Sequence, residues 1–246
     1  MNDYRYTRPE QFPPIVKNLI IINALVFVAQ LLFDSQINLT HKLAMWPIIP
    51  EQLKAQLILS GIITDDQTFK PYQIATHFFT HSTSSFFHIL FNMFTLWMFG
   101  RTLENIWGPK RFLFFYLCSG VGAAALHLTI QYFRAEPLLA ALESNNEQAI
   151  ISNIGALAPA VGASGAVMGL MAAFAYLFPN TEFYMMFIPV PIKAKWLVLG
   201  YAAIDLFGGV ANIAGDNIAH FAHLGGAITG FIIVFIWNKN NRRTFY

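Results

Sequence analysis

The chain of 246 residues is apolar, with 56% hydrophobic, 15% aromatic and only 11% charged side chains. A soluble domain carries about 25% charged residues, and disorder requires low hydrophobicity with high charge, so neither class fits. A net charge of +2, without a dense basic patch, argues against a nucleic-acid partner. The single cysteine, Cys118, excludes an internal disulfide and a cysteine-based zinc site, and we expect no metal and no cofactor. These properties predict an integral membrane protein in contact with the lipid bilayer.

Six apolar stretches have the length of a membrane-crossing helix, which needs about 20 mostly apolar residues. Their apolar residues are continuous rather than alternating, which excludes membrane-spanning strands. The predicted fold is therefore an all-α polytopic membrane protein, a bundle of six transmembrane helices. The predicted spans lie near 17–33, 85–104, 111–133, 161–178, 192–209 and 219–237.

The basic residues predict the orientation, because positive charge collects on the inner side of a membrane. With the N-terminus inside, 11 of the 15 basic residues are inside and 4 are outside. The inner set is Arg5, Arg8, Lys17, Arg101, Lys110, Arg111, Lys193, Lys195, Lys239, Arg242 and Arg243, and the outer set is Lys42, Lys54, Lys70 and Arg134. The predicted organisation is a short cytoplasmic segment (1–16), a membrane core (17–238) and a cytoplasmic tail (239–246).

Two long connections are predicted on the outer side. Residues 34–84 include an apolar segment interrupted by Pro47 and Pro50, which we expect to lie in the outer interface. Residues 134–160 contain the polar run 143–148 and are predicted to be a solvated loop. On the inner side, the proline-containing stretch between the fourth and fifth spans is a connector.

Polar residues inside the spans are costly in a bilayer and are therefore functional candidates. Ser164 lies 14 residues before Phe178 at the end of the fourth span, a distance of ~21 Å. The same separation places His223 before Trp237, and Asn92 lies ~18 Å from the inner end of the second span. Three helices thus carry polar groups to one level, roughly 10 Å below the outer surface of a ~30 Å layer. The full set of candidates is His88, Asn92, Glu104, His127, Ser164, Asp205, His220 and His223.

Glycines predict that the fourth and sixth spans approach closely. Gly165 and Gly169 have small-xxx-small spacing, as do Gly226 and Gly230, and this spacing lets two helix backbones touch. Only then can a short serine side chain reach a histidine on the neighbouring helix within ~3 Å. The alternative is ordinary glycine-mediated packing, with Ser164 bonded to a backbone carbonyl.

This arrangement predicts nucleophilic chemistry. Serine is activated when a base takes its proton, and His223 can do so near neutral pH. Backbone N–H groups at the start of the fourth span, Gly162 included, together with His88 and Asn92, are predicted to stabilise the oxyanion. Asp205 belongs to the fifth span and Asp216 to an outer loop, so the prediction is a Ser–His dyad rather than a triad.

The motifs GASG (162–165), AHLGGAITG (222–230) and HILFN (88–92) together resemble the rhomboid intramembrane serine proteases. The resemblance runs from about Lys70 to Gly230 and implies a six-span core. It implies Ser164 as nucleophile, His223 as base, and His88 and Asn92 in the oxyanion hole. It also implies an activity, cleavage of transmembrane protein substrates near their outer ends, typically beside small residues.

Two positions depart from the family pattern. Tyr72–Gln73 stands where many members have Trp-Arg, and Met168 stands where an aromatic residue often stacks on the catalytic histidine. We expect the first departure to change how the outer connection is anchored in the lipid, and the Met168 thioether to pack against His223 in place of the aromatic ring.

Several alternatives remain open from the sequence. His77 and His81 form an HxxxH spacing without the glutamate of a zinc protease, and are interpreted as loop-packing histidines. His220 is a second candidate base, and His127 is interpreted as a packing residue. An inactive relative that binds membrane helices and a small transporter are the competing functions. The composition of the N-terminus predicts a bacterial cytoplasmic membrane, with both termini cytoplasmic.

Overall fold

The structure is a computed structural model that describes residues 9–185, 188–211 and 219–240. Most of these residues are helical, and two short strands follow the ninth helix. The helices are α1 (Pro14–Ile37), α2 (Leu39–Leu43), α3 (Glu51–Leu59), α4 (Gln73–Thr76), α5 (Phe86–Trp107), α6 (Pro109–Arg134), α7 (Glu136–Glu143), α8 (Glu147–Asn153), α9 (Ser164–Leu177), α10 (Ala194–Ala211) and α11 (His220–Asn240). The strands are β1 (Glu182–Met185) and β2 (Ile188–Lys193). Arg5, Arg8, Asp216, Arg242 and Arg243, which entered the sequence predictions, lie outside the described residues.

Each of the six predicted spans coincides with a helix, namely α1, α5, α6, α9, α10 and α11. Within the described ranges, four segments are long and apolar enough to cross a membrane: Pro14–Ile37, Pro109–Glu143, Ala194–Ala211 and His220–Lys239. These segments support a helical membrane protein, while the count of six spans stays a prediction. The 14 residues of α9 extend only ~21 Å, and α5 carries several polar side chains.

Large apolar side chains cover the outside of the helix bundle. Leu25 of α1, Leu199 of α10 and Ile236 of α11 are all exposed. A soluble surface rarely carries a continuous apolar area of this kind, whereas lipid chains solvate it. The outside of the bundle is therefore suited to contact with a bilayer.

Helix α9 is the centre of the bundle. Ten of its 14 residues, from Gly165 to Phe174, are buried, and it packs against α5, α6, α10 and α11. The close approach to α11 is made by glycines, since a Cβ at Gly230 would lie 2.7 Å from the Cα of Gly169. The predicted backbone contact between the fourth and sixth spans is present in the structure.

We call the side on which α5, α9 and α11 begin the outer face, and the side on which they end the inner face. On the outer face, the first long connection forms only short helices, α2 to α4. The prediction that 134–160 is a solvated loop is wrong, because it contains α7 and α8. Leu138 of α7 is buried against Leu53 and Leu57 of α3, which joins the two connections in a small apolar core. The polar run 143–148 is exposed at the turn between α7 and α8.

On the inner face, the connector after α9 contains β1 and β2, paired antiparallel with Glu182 opposite Lys193. This pair is a local addition to a helical fold. Each strand of a two-stranded sheet has a free edge, and prolines are tolerated at such edges.

Also on the inner face, Glu104 of α5 caps the start of α1. Its two carboxylate oxygens accept hydrogen bonds from the backbone N–H groups of Ile15 (2.9 Å) and Val16 (2.8 Å). Helix starts leave such N–H groups without partners within the helix, and negative charge there is favourable. This contact agrees with the predicted hydrogen-bonding or capping role of Glu104.

Candidate active site

Ser164 and His223 are in hydrogen-bond contact between two helices. Ser164 is the first residue of α9, and His223 lies in the first turn of α11. The distance between Ser164 Oγ and His223 Nε2 is 2.8 Å. The structure therefore brings together the two residues that the sequence predicts as nucleophile and base.

A carboxylate also contacts His223, on the side of the ring away from Ser164. Asp205 Oδ1 of α10 lies 3.0 Å from His223 Nδ1, and the Asp205 side chain is buried. The expectation that no carboxylate accompanies the pair at this depth is wrong. Asp205 is six residues before Ala211 in a helix that runs toward the outer face, so it lies only ~9 Å below that end. The same depth arithmetic, applied to the fifth span, places Asp205 near the level of the pair but does not show whether its side chain faces His223.

The three side chains define the roles of the imidazole nitrogens. An ionised carboxylate only accepts hydrogen bonds, so the Nδ1–H of His223 donates to Asp205. With the ring proton on Nδ1, Nε2 is free to accept the hydroxyl hydrogen of Ser164. This is the protonation pattern that a general base requires before it activates a serine.

His220 shares the same carboxylate oxygen. Its Nδ1 lies 2.9 Å from Asp205 Oδ1, and its side chain is almost fully buried. The Ser164 hydroxyl donates its hydrogen bond to His223, the residue that the sequence prefers over His220 as the candidate base.

His88 lies on the opposite side of Ser164, across Gly162. Its Nδ1 accepts the backbone N–H of Ser82 at 3.1 Å, which leaves the ring proton on Nε2. A Cβ atom at position 162 would be 3.0 Å from this Nε2 and 3.7 Å from Ser164 Oγ. Gly162 has a φ of +117°, a conformation that favours glycine. The missing side chain of Gly162 thus leaves the space beside Ser164 open to the His88 donor.

The backbone N–H of Gly162 is already used, because it donates to the His77 carbonyl at 2.9 Å. The prediction that the Gly162 N–H is free at the start of the helix is therefore wrong. The N–H groups of Ser164, Gly165 and Ala166, in the first turn of α9, have no i−4 carbonyl within the helix. These groups, rather than Gly162, are the backbone donors nearest the hydroxyl.

Asn92 is one turn after His88 on α5 and is buried. Its Nδ2 donates to the His88 carbonyl at 2.8 Å. Its Oδ1 is buried without a hydrogen-bond partner among the described residues. The side chain is therefore fixed beside His88, with one amide hydrogen used within its own helix.

A small cavity lies beside Ser164. Its apolar lining includes Phe78, Ala123, Val161, Ala166 and Ala222. Because most of these side chains are small, they leave an open space beside the serine. The cavity accordingly has room for a small group next to the hydroxyl.

His77 and His81 are buried in the outer connection. The Nδ1–H of His77 donates to the Gln73 carbonyl at 2.7 Å. Burial lowers the pKa of both His77 and His81 to about 4. Among the described residues, no group of three or more His, Cys, Asp or Glu could hold a metal ion. Both histidines are neutral packing residues near pH 7, as the loop-packing interpretation expects.

The positions that depart from the family pattern have structural roles. Gln73 is buried, and its Oε1 accepts the backbone N–H groups of Trp46 (3.3 Å) and Lys70 (2.9 Å). Tyr72 is exposed, and its hydroxyl donates to the Lys42 carbonyl at 3.1 Å. Met168 is buried in the main apolar core. Gln73 therefore folds the outer connection back on itself through contacts that its sequence neighbours do not reveal.

The chain is similar to known proteins over most of its length. Residues 68–240, more than two thirds of the chain, match the rhomboid domain. Rhomboid protein 1, mitochondrial, of Saccharomyces cerevisiae is 30% identical over 151 residues, which cover 61% of this chain and 38% of that protein. RHOMBOID-like protein 12, mitochondrial, of Arabidopsis thaliana is 28% identical over 223 residues, which cover 89% of this chain and 56% of that protein. The presenilin-associated rhomboid-like protein, mitochondrial, of Rattus norvegicus is 31% identical over 152 residues, which cover 61% of this chain and 34% of that protein.

The fold and the site define a helical membrane protein that carries a serine–histidine pair at the contact between two of its helices. The chain belongs to the rhomboid family. The chain spans between 34% and 56% of the length of the three curated relatives described above.

The prediction of a bacterial cytoplasmic membrane, with both termini in the cytoplasm, is wrong. The curated relatives are named as mitochondrial proteins. The prediction rested on the composition of residues 1–16, and a short polar segment carries little information about the membrane that surrounds the rest of a chain.

Proposed function

We propose that this protein is an intramembrane serine endopeptidase that cleaves transmembrane segments of other membrane proteins. The observation that carries the proposal is the 2.8 Å contact between Ser164 Oγ and His223 Nε2, within a bundle of apolar helices. The rhomboid family membership supports the same conclusion. In keeping with the relatives, we propose a mitochondrial membrane as its location and a six-helix membrane core as its architecture.

In the proposed reaction, Ser164 Oγ attacks the carbonyl carbon of the scissile peptide as His223 Nε2 takes the hydroxyl proton. The tetrahedral intermediate collapses when the carbon–nitrogen bond breaks and His223 returns the proton to the leaving amine. The acyl ester on Ser164 is then hydrolysed by water, with His223 again acting as base. The serine and the neutral imidazole are restored at the end of the cycle.

The negative oxygen of the intermediate needs hydrogen-bond donors, and removing one such donor typically lowers turnover by about 10²–10³-fold. We assign this role to the backbone N–H of Ser164 and to His88 Nε2, which faces the space beside Gly162. The first turn of α9 adds its helix dipole in the same direction. Asn92 is assigned to the same hole, next to His88, and Gly162 contributes by leaving the hole unfilled.

The cavity beside Ser164 indicates which bond is cleaved. Its lining, which includes Ala123, Ala166, Ala222 and Phe78, leaves a small apolar space that suits a small side chain. We therefore expect cleavage next to a small residue. Since Ser164 begins α9 at the outer face, the cleaved bond is expected near the outer end of the substrate helix.

A fluorophosphonate probe tests the proposal directly, because it reacts covalently only with an activated serine. The purified protein in detergent should be labelled at one serine, and the Ser164→Ala variant should lose the label. Ser119→Ala is the matched control, since Ser119 is another buried serine of the bundle and should leave labelling intact. A single-span test substrate should be cleaved by the wild-type protein and by Ser119→Ala, and not by Ser164→Ala.

The same experiment separates the competing functions. A non-catalytic helix-binding relative would bind the test substrate without cleaving it and would not react with the probe. A transporter would likewise fail to label. Labelling that persists in Ser164→Ala would instead reject the assignment of the nucleophile.

A further inference from the structure

We propose that Asp205 is a positioning residue for His223, so that the site works as a Ser164–His223–Asp205 triad rather than a dyad. The inference rests on the proposed function and adds a residue to it. Asp205 comes from α10, a different helix from those that carry the serine and the histidine. Three separate helices would then each supply one member of the catalytic group.

The first support is the chain of contacts. The His223 ring makes a hydrogen bond at each nitrogen. Its Nε2 is 2.8 Å from Ser164 Oγ, and its Nδ1 is 3.0 Å from Asp205 Oδ1. An imidazole held at both nitrogens cannot rotate freely about its side-chain bonds. The contact to Asp205 thus selects the tautomer with its proton on Nδ1, which leaves the lone pair of Nε2 directed at the serine.

The second support is burial. The side chain of Asp205 is only 7% exposed and that of His223 is 19% exposed. A carboxylate hidden from water interacts more strongly with a neighbouring charge than an exposed one does. The imidazolium that forms when His223 takes the serine proton is therefore stabilised by Asp205 at the moment it appears.

The third support is the way Asp205 is itself held. His220 Nδ1 donates to the same Oδ1 at 2.9 Å. His220 packs in turn against Gly208 of α10, where a Cβ atom would lie 2.5 Å from His220 Nε2. The carboxylate is thereby fixed from one side by His220 while it orients His223 on the other.

The alternative is that Asp205 only ties α10 to α11. The two roles differ in what a change at Asp205 affects. A tether contributes to stability and leaves the chemical step of the folded protein unchanged. A positioning residue changes turnover while substrate binding and folding stay close to normal.

Asp205→Asn tests this, because asparagine keeps the shape and one carbonyl oxygen and removes the charge. We expect kcat for the test substrate to fall at least about 10²-fold, since a similar replacement in a serine protease triad costs about 10⁴-fold. KM should change by less than threefold and Tm by a few degrees. Asp66→Asn is the matched control, because Asp66 also faces a histidine, His41 at 3.7 Å, but is 70% exposed in the outer connection.

All rates are measured well below the Tm of each variant and are expressed per monodisperse folded protein, so that loss of folding does not imitate loss of catalysis. A normal kcat in Asp205→Asn, with or without a lowered Tm, overturns the inference and leaves the proposed function intact. A wild-type protein that neither cleaves nor labels overturns both. Loss of kcat in Asp205→Asn with normal kcat in Asp66→Asn supports the triad.

Discussion

Gly226 of α11 lies directly against the carbonyl of Gly165 of α9, and a Cβ atom at position 226 would stand 1.8 Å from that oxygen. The contact joins the two helices just below Ser164 and His223. Because both partners are backbone atoms, neither can move aside by rotating a side chain. The distance between nucleophile and base therefore depends on the absence of one methyl group.

Gly226→Ala is accordingly expected to destabilise the protein by about 3 kcal/mol, the upper end of the usual cost of overpacking, because a contact with backbone forces the helices apart. Unfolding in detergent, followed by circular dichroism, measures the loss. Gly200→Ala on α10 is the control, since a Cβ there meets no atom within 4 Å. An alanine at 226 that leaves Tm and fluorophosphonate labelling unchanged would contradict the close-packing explanation.

Asn92→Ala is expected to lower kcat by about 10²–10³-fold, the typical loss for one oxyanion-hole donor, with little change in KM. Asn23 offers a matched control, because its Nδ2 also donates to the carbonyl four residues earlier, Leu19, at 2.8 Å. Asn23→Ala removes the same kind of local bond from α1 and should keep normal turnover. Equal rates for the two variants would show that Asn92 has only a local structural role.

Glu104→Gln should weaken the attachment of α1 to the bundle. The change keeps the shape but replaces one acceptor oxygen with an N–H donor that faces a backbone N–H of Ile15 or Val16. We expect a loss of about 1–3 kcal/mol in the free energy of unfolding. Glu182→Gln, at an exposed site in β1, should change it by less than about 0.5 kcal/mol. Comparable losses in both variants would argue against the cap.

Acid should destabilise the outer connection through His77 and His81. Burial lowers the pKa of each from 6.5 to about 4, so the folded protein favours the neutral rings. The stability they contribute is complete above about pH 6.5 and is lost as the pH falls toward 4. At pH 5 the cost is about 2 kcal/mol for each histidine. Tm measured from pH 7.5 to pH 5 should fall, and His77→Gln or His81→Gln should each flatten the slope. A wild-type Tm that does not change over this range contradicts the prediction.

The helices and the serine–histidine pair could be read from sequence because both follow from local patterns. Apolar runs of sufficient length define helices in a membrane, and equal residue counts to the inner ends place Ser164 and His223 at one depth. The glycine spacing on α9 and α11 then indicates which two helices touch. These arguments need only the rise per residue and the width of a bilayer.

Other features could not be predicted from local patterns, because each depends on tertiary contacts. They are the position of Asp205, the contacts of Gln73 and the helices α7 and α8. Whether Asp205 faces His223 depends on how α10 is rotated about its own axis. Because apolar residues lie on many sides of α10, its sequence does not define this rotation. Gln73 binds backbone N–H groups that the local chain presents only after the outer connection has folded. Helix α7 buries Leu138 against α3, which lies about 80 residues earlier in the chain, and α8 packs in turn against α7.

Composition and residue spacing alone established a helical membrane protein in which a serine and a histidine occupy one level of adjacent helices. Packing in three dimensions added the carboxylate behind the histidine, the hydrogen bond that occupies the Gly162 N–H, and the cavity beside the serine. The division has a physical cause. Helix formation and depth in a bilayer depend on neighbours within a few turns, whereas a hydrogen-bond partner depends on the rotation and contact of helices that are far apart in the chain.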